Sequence, residues 1–370
     1  MDVLSRAHAL ERAGRRVVHM EIGEPDFTAP APVVEAGVRA LREGRTAYTA
    51  TLGLPALREA IAAHYAQKFS TEVDAARVVV TSGASGGLLT VTALYVDAGD
   101  EVLVPDPGYP GYRHFVRAFE GRARALPVSA AENFQPTLDM VRAAWGPRTK
   151  ALLLGSPSNP TGTLISSEEL RAIAGFIAER GGVLIADEIY QGLSYGVQPW
   201  TALGLPGEVV VINSFSKYFC MTGWRLGWAV LPGAAVRGFE KLAQHLFISA
   251  PAPSQHAACS AFLPETVSIL EGRRNEFARR RDFLVPALRR AGLSIPAEPH
   301  GAFYVYADCG GDAKRFSLDL LQKEAVAATP GVDFGANGTA RFVRFAYTRS
   351  MDDLEEAAAR ITRFVSSPSA

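Results

Sequence analysis

The chain has 370 residues, 48% of them hydrophobic and 21% charged, enough for one large domain and a smaller one. Lys+Arg and Asp+Glu are equal at 38 each, so no net basic excess recommends nucleic acid. No apolar run approaches the roughly 20 residues that span a bilayer, and Met1 to Leu10 lacks a signal-peptide pattern, so a soluble cytoplasmic protein with no membrane partner is expected.

Residues 1 to 20 begin amphipathic and end in the apolar Val17-Val18-His19-Met20. The next stretch, Ile22-Gly23-Glu24-Pro25-Asp26-Phe27, has prolines again at Pro30 and Pro32 and is forced into extended and turn conformations. It reads either as a connector or as backbone laid beside a ligand. Pro32 to Glu43 reads as a helix stopped by Gly44, and Pro55 to Tyr65 as a second one opened by its proline. Tyr48 lies on the loop between them, where a packing role is the default.

From Arg77 the pattern becomes regular. Val78-Val79-Val80 is a strand, Thr81 to Gly87 a turn of small residues, and Leu88 to Tyr95 a helix. Such a turn points free N–H groups, with the positive end of a helix behind them, at one spot. Gly83, Ala84 and Ser85 therefore suit a phosphate, although tight packing explains the same residues. Val102-Leu103-Val104 ends in the proline-fixed Pro105 to Tyr112, whose Tyr109 ring could lie on a flat ligand. A strand follows over Arg124 to Val128.

Ala151 to Leu154 is a buried strand leading into Gly155-Ser156-Pro157-Ser158-Asn159-Pro160-Thr161-Gly162. Ser166 and Glu169 have capping-box spacing, and Leu170, Ile173, Ala174 and Ile177 continue at helical spacing to Gly181-Gly182. The apolar Val183 to Ala186 runs straight into Asp187-Glu188-Ile189-Tyr190. Asp187 either caps a loop or is buried, and a buried carboxylate needs a partner.

The β-branched Val209 to Ile212 stops just before Ser214-Phe215-Ser216-Lys217, and Arg225 follows eight residues after the lysine. A lysine at a strand end can form a Schiff base if its surroundings lower its pKa. Serine hydroxyls and a guanidinium suit a phosphate dianion. A surface lysine on a polar loop is the plain alternative. Cys220, Cys259 and Cys309 have neither metal-ligand spacing nor a disulfide framework.

Gly227 to Leu231 is a further strand. Helices follow over Ala234 to His245 and much of 254 to 291, where Arg273 to Arg281 reads as one solvated face. Strands then return at Ala302 to Tyr306 and Arg341 to Ala346, and the tail Ser366 to Ala370 reads as frayed. Strands alternating with helices over 77 to 231, then this change, predict an α/β domain with a large, mostly parallel sheet and helices on both faces. A smaller α+β domain completes the chain.

Ligands of open α/β sheets bind beyond the carboxyl ends of the strands. Those ends hold Gly83 to Ser85, Tyr109, Asn159, Asp187 with Tyr190, and Ser214 to Lys217. Each chemical type suits a part of pyridoxal 5'-phosphate (PLP). With Ile22-Gly-Glu-Pro-Asp-Phe27, Pro157-Ser-Asn-Pro-Thr-Gly162, Asp187-Glu-Ile-Tyr190, Ser214-Phe-Ser-Lys217, Thr222-Gly-Trp-Arg225 and Val343-Arg-Phe-Ala346, the chain resembles the aminotransferase class I/II family of fold-type I PLP-dependent enzymes.

The resemblance implies a large PLP-binding domain over 33–262 and a small domain from 1–32 and 263–370. It implies transfer of an amino group between an L-amino acid and a 2-oxo acid through a Lys217 aldimine. Asp187 then pairs with the pyridinium nitrogen, Tyr190 and Asn159 hold the ring 3-oxygen, and Tyr109 stacks on the ring. Gly83, Ala84, Ser85, Ser214, Ser216 and Arg225 fall at phosphate positions. The glycine-rich turn at 83–87 is where the chain departs from the family's pattern. Gly23, Asn159 and Arg344 match substrate-carboxylate ligands, and Tyr48 matches a tyrosine that reaches the phosphate across a homodimer interface. Phe27, Tyr112 and Phe303 stand as possible pocket walls. A carbon–sulfur β-lyase or decarboxylase of the same fold, or a non-catalytic PLP-binding regulator, stays open as an alternative.

Overall fold

A computed structural model describes residues 2–367. The strands are β1 (Val18–His19), β2 (Val78–Thr81), β3 (Glu101–Asp106), β4 (Arg122–Pro127), β5 (Thr149–Gly155), β6 (Val183–Asp187), β7 (Glu208–Ser214), β8 (Gly227–Val230), β9 (Tyr304–Asp308), β10 (Val326–Ala327), β11 (Thr329–Pro330) and β12 (Phe342–Ala346). The α-helices are α1 (Asp2–Arg12), α2 (Ala31–Arg42), α3 (Pro55–Phe69), α4 (Gly83–Tyr95), α5 (Gly111–Ala118), α6 (Leu138–Ala144), α7 (Ser167–Glu179), α8 (Val236–Leu246), α9 (Ala252–Ala258), α10 (Pro264–Arg290), α11 (Ala313–Glu324) and α12 (Met351–Ser366).

The central sheet has seven strands in the order β2-β8-β7-β6-β5-β3-β4. The pairs from β7 through β4 are parallel, and β8 is antiparallel to both its neighbours. Continuous apolar runs are what a sheet covered on both faces requires. Successive side chains of each strand go alternately to two cores. Leu152, Leu154, Leu184, Ala186, Val209 and Val211 join one core with α3, α7 and α10. Ala151, Leu153, Val183, Ile185, Val210 and Ile212 join the other with α4, α5 and α8.

A second, antiparallel sheet has the order β11-β12-β9. β1 pairs in parallel with β10, Val18 opposite Val326, which fastens the N-terminal segment to the C-terminal part of the chain. Among the described residues no helix is long and apolar enough to cross a membrane.

Several elements differ from the sequence expectations. α4 begins at Gly83, not at Leu88, so the turn of small residues is itself the first part of the helix. Glycine and serine are poor helix formers, which is why the stretch reads as a turn. Of its glycines only Gly83, at φ +73, is tight, while a Cβ on Gly86 or Gly87 would meet nothing nearer than 3.4 Å. A Cβ on Gly227 would stand 2.8 Å from the Ala84 nitrogen and 2.8 Å from the Gly83 carbonyl carbon, so the start of α4 sits directly on β8.

Ser166 caps α7 as expected, but Glu169 does not reach back. Its carboxylate accepts from the Leu138 amide at the start of α6 instead. The reciprocal capping box lies at Ser129 and Glu132. α12 stays helical through Ser366, and the end of the expected frayed tail, 368–370, lies outside the described residues.

The arginine-rich stretch is not a solvated face. Arg280 on α10 is buried, donates to Asp26 at 2.7 Å and to Glu276 at 3.0 Å, and lies 5.1 Å from the Phe27 ring centroid. Arg273 donates to the Thr28 carbonyl. These side chains hold the 22–28 loop against α10, and that loop forms one wall of the site described below. Removing one partner of a buried ion pair typically costs about 3–5 kcal/mol. Arg280→Ala should therefore lower the denaturation midpoint strongly and Arg279→Ala, exposed one position away, should not. Equal midpoints for the two variants in a denaturant titration would contradict this role.

Candidate active site

A cavity of about 520 Å³ opens at the carboxyl ends of β5, β6 and β7. Gly23, Ala84, Ser85, Tyr109, Asn159, Asp187, Tyr190, Ser214, Ser216, Lys217, Arg225 and Arg344 all line it. Gly83 sits just behind, where a Cβ would stand 2.6 Å from Arg225 Nη2. Tyr48 is apart from them, 79% exposed on its loop.

Asp187 ends β6 and is buried. Its Oδ2 accepts from the Tyr112 hydroxyl at 2.8 Å and its Oδ1 from the Ile189 amide at 3.2 Å. Among the described residues no Lys, Arg or His forms an ion pair with it. Burial pushes its carboxyl up from 3.8 to about 6, against the Tyr112 and Ile189 hydrogen bonds. The position suits a cation that a ligand would bring.

Lys217 lies just past the end of β7, the strand that pairs with β6. Its Nζ donates to the Gly23 carbonyl at 2.6 Å. Burial and then the nearby Arg344 guanidinium bring its amine down to about 8. About a tenth is thus unprotonated at neutral pH, far more than of an ordinary lysine, and that is the state that attacks a carbonyl.

A third region can take a polyanion. No side chain caps α4, because Ser82 at its N-cap position makes no such hydrogen bond. Its first N–H groups, at Ala84 and Ser85, border the cavity. Arg225 adds a guanidinium from a left-handed backbone, φ +53, and its Nη1 donates to the Thr222 carbonyl at 3.0 Å. The Ser214 hydroxyl accepts from the Ser216 amide at 3.0 Å and donates to the Leu226 carbonyl at 3.3 Å.

The fourth region comes from the small sheet. Arg344 on β12 donates through Nη1 to Asn159 Oδ1 at 2.9 Å and through Nη2 to the Glu21 carbonyl. It is buried, yet among the described residues no carboxylate pairs with it. Its guanidinium lies 4.3 Å from the Tyr304 ring centroid.

Sequence reasoning missed Tyr304, which lines the cavity and whose hydroxyl is 2.8 Å from that of Tyr190. The apolar run around it carries no signal that one phenol faces a ligand. It also missed Glu24 and Thr222, hydrogen-bonded to each other at the rim. Tyr112, read only as a possible wall, lines the cavity and orients Asp187. Phe303 is fully buried and not part of the lining, and Phe27 lines a neighbouring cavity of about 640 Å³.

The sequence pattern of the family described as aminotransferase class I and II matches residues 15–361. The chain belongs to that family. It is 38% identical over 368 residues to a (5-formylfuran-3-yl)methyl phosphate transaminase of Methanocaldococcus jannaschii, covering 99% of this chain and 96% of the relative. It is 40% identical to a valine–pyruvate aminotransferase of Mycobacterium tuberculosis, covering 98% and 94%. The crystal structure of an aminotransferase from Mycobacterium tuberculosis superposes with a TM-score of 0.95 at 39% identity, covering 99% of this chain and 95% of that one.

Asp187 supplies a test that needs no turnover. Its folded pKa is raised, so ionisation works against folding. The effect is absent below the ordinary value of 3.8 and complete above about 6. It amounts to something on the order of 3 kcal/mol. Cofactor-free Asp187→Asn should therefore melt above the wild type near pH ~8 and converge with it below pH ~4. A melting temperature at or below wild type near pH ~8 would show that Asp187 is satisfied without a cation.

Proposed function

We propose that the chain is a PLP-dependent aminotransferase acting on L-amino acids and 2-oxo acids, and that it works in the cytoplasm as a homodimer with shared sites. The observation that carries this reading is that one cavity joins four complementary features. These are a buried carboxylate without a cation, an amine of lowered basicity, an uncapped helix N-terminus beside Arg225, and a buried arginine without a carboxylate.

These residues fit PLP. Asp187 would hold a proton on the pyridine nitrogen, since an adjacent negative charge favours the protonated ring. Ala84, Ser85, Ser214, Ser216 and Arg225, with Gly83 behind them, would hold the phosphate. Tyr109 borders the ring's place, and Tyr190 and Asn159 would hold the ring oxygen. When bound, PLP supplies an electron sink for a bond broken at the substrate Cα.

The chain's own groups do the rest. Arg344 can grip a substrate carboxylate with two parallel hydrogen bonds, and Asn159 and the Glu21 carbonyl hold the guanidinium in place. The 22–28 loop brings Gly23 beside the same carboxylate. Fixing the carboxylate decides which Cα bond is aligned for cleavage, and it favours loss of the proton over loss of CO2. The Lys217 amine can take that proton and deliver it again, as general base and then acid. Water would then supply the keto oxygen as the amino acid leaves as its 2-oxo acid, its nitrogen would stay with the bound cofactor, and a second 2-oxo acid would take that nitrogen up and return the water. The 33–262 segment would form the cofactor domain, and 1–32 with 263–370 the small domain that carries Arg344.

The dimer rests on a separate observation. Val34, Val38 and Leu41 form an exposed apolar stripe on α2, with Leu246 and Ile248 also exposed. Tyr48 follows α2 directly. A two-fold contact through this surface would be reciprocal and would place each Tyr48 loop toward its partner.

Lys217→Ala should fold with a wild-type circular dichroism spectrum but show no transamination and no visible band after incubation with PLP. Retained turnover would end the reading. For the shared site, Tyr48→Ala should be mixed with Lys217→Ala at limiting PLP. The site that keeps Lys217 would then receive an intact Tyr48, and activity should rise above that of either parent. No gain, with subunit exchange confirmed by native mass spectrometry, would place Tyr48 in its own subunit.

A further inference from the structure

One cavity residue has no role in the account above, yet it touches three that do. Tyr304 opens β9 and is 1% exposed. Its hydroxyl is 2.8 Å from the Tyr190 hydroxyl. The same hydroxyl abuts Gly23 so closely that a Cβ there would stand 2.2 Å from it. Gly23 is therefore held to glycine by this phenol, and its carbonyl accepts from Lys217. The face of the ring carries the Arg344 guanidinium at 4.3 Å. The Lys217, Tyr190 and Arg344 groups are thus all backed by one side chain.

We infer that Tyr304 is a positioning residue that sets two parts of the site separately: its hydroxyl donates to Tyr190, which turns the Tyr190 O–H toward the ligand, and its ring holds Arg344 in place.

The direction of the hydrogen bond follows from chemistry. Two phenols sharing one hydrogen bond leave one hydrogen over. The more acidic phenol is the better donor. Burial raises both and Arg344 lowers both, but the guanidinium lies over the Tyr304 ring itself at 4.3 Å and polarises that O–H, whereas the Tyr190 ring has the Lys217 amine farther off, at 5.9 Å, and faces the Asp187 carboxylate, which holds its proton on. Tyr304 is therefore the donor, and the left-over hydrogen belongs to Tyr190. That hydrogen meets the cavity, where it can bond a ligand oxygen. A hydrogen bond donated to the ionised form of that oxygen favours the ionised form.

The inference rests on the PLP reading, because the oxygen concerned is the ring oxygen of the cofactor. Three proteins loaded with PLP separate the two roles: wild type, Tyr304→Phe and Tyr304→Leu. Two quantities are measured on each, the pH midpoint of the visible band and the dissociation constant of acetate as a carboxylate probe. Tyr304→Phe removes the hydroxyl and keeps the ring. Its midpoint should rise by about 0.5 pH unit, because Tyr190 loses the donor that orders it. Its acetate affinity should stay within about twofold of wild type, because the ring still faces Arg344. Tyr304→Leu should show the same rise and bind acetate about 5- to 10-fold more weakly.

An unchanged or lowered midpoint in Tyr304→Phe overturns the inference. So does an acetate affinity that falls as far in Tyr304→Phe as in Tyr304→Leu. If Tyr304→Leu does not fold, Tyr304→Phe decides alone. A wild-type protein with no visible band would refute the cofactor reading itself, and the role of Tyr304 would fall with it. A wild-type band with an unmoved Tyr304→Phe midpoint would refute only the role of Tyr304.

Discussion

A carboxylate held in a dry interior, with no ion-pair partner among the described residues, is the constraint around which the site is built. Asp187 occupies the last position of a strand whose every residue is buried. Its two hydrogen bonds, from Tyr112 and the Ile189 amide, fix its direction, and the Lys217 amine, out of ion-pairing contact, offsets its charge only in part. Such a group is costly unless something positive arrives. The fold supports it closely. A Cβ on Gly155, at the end of the neighbouring strand, would come within 2.7 Å of the Tyr112 hydroxyl. The residue types around Asp187 therefore follow from the need to aim it.

The sheet determines what faces that carboxylate. Register places Asp187 opposite Ile212, so Lys217 follows at the end of the adjacent strand. The antiparallel β8 beyond it carries Gly227, and the absence of a side chain there lets α4 bring its uncapped N-terminus to the same cavity. Arg225 takes a left-handed backbone to reach this place. That conformation costs of order 1–3 kcal/mol in a residue with a side chain, and it persists only where its surroundings hold it. The remaining wall comes from elsewhere in the chain. Arg344 and Tyr304 lie on paired strands of the small sheet, and Gly23 lies on a loop braced by Arg280. Three separate parts of the chain thus meet over the cavity.

The strand ends were legible because strands buried on both faces, the parallel β6 and the antiparallel β2 alike, leave a clear trace. Long β-branched runs stop abruptly at Asp187, at Ser214 and at the small residues after Val80, and a charged residue after such a run stands out. Residue type at those ends singled out Lys217, Asp187 and Arg225 as candidates, and only the resemblance to the family gave them roles. What was not legible depends on contacts distant in sequence. Tyr304 and Phe303 are neighbours in one apolar run, and only the turn into β9 decides that one lines the cavity and the other packs in the core. Gly83 to Gly87 looks like a turn by propensity, and only the close approach of β8 explains a helix there. Arg280 looks like its exposed neighbours until Asp26, 254 positions away, is seen beside it.

The central claim is that one amine in this chain is prepared for a carbonyl ligand, and reductive labelling tests it most directly. The protein is incubated with PLP near neutral pH, reduced with borohydride, digested, and its peptides mapped by mass. The account predicts a stoichiometric phosphopyridoxyl label on Lys217, with the exposed lysines unlabelled at limiting PLP. A label spread over surface lysines, with Lys217 unmodified, would contradict it.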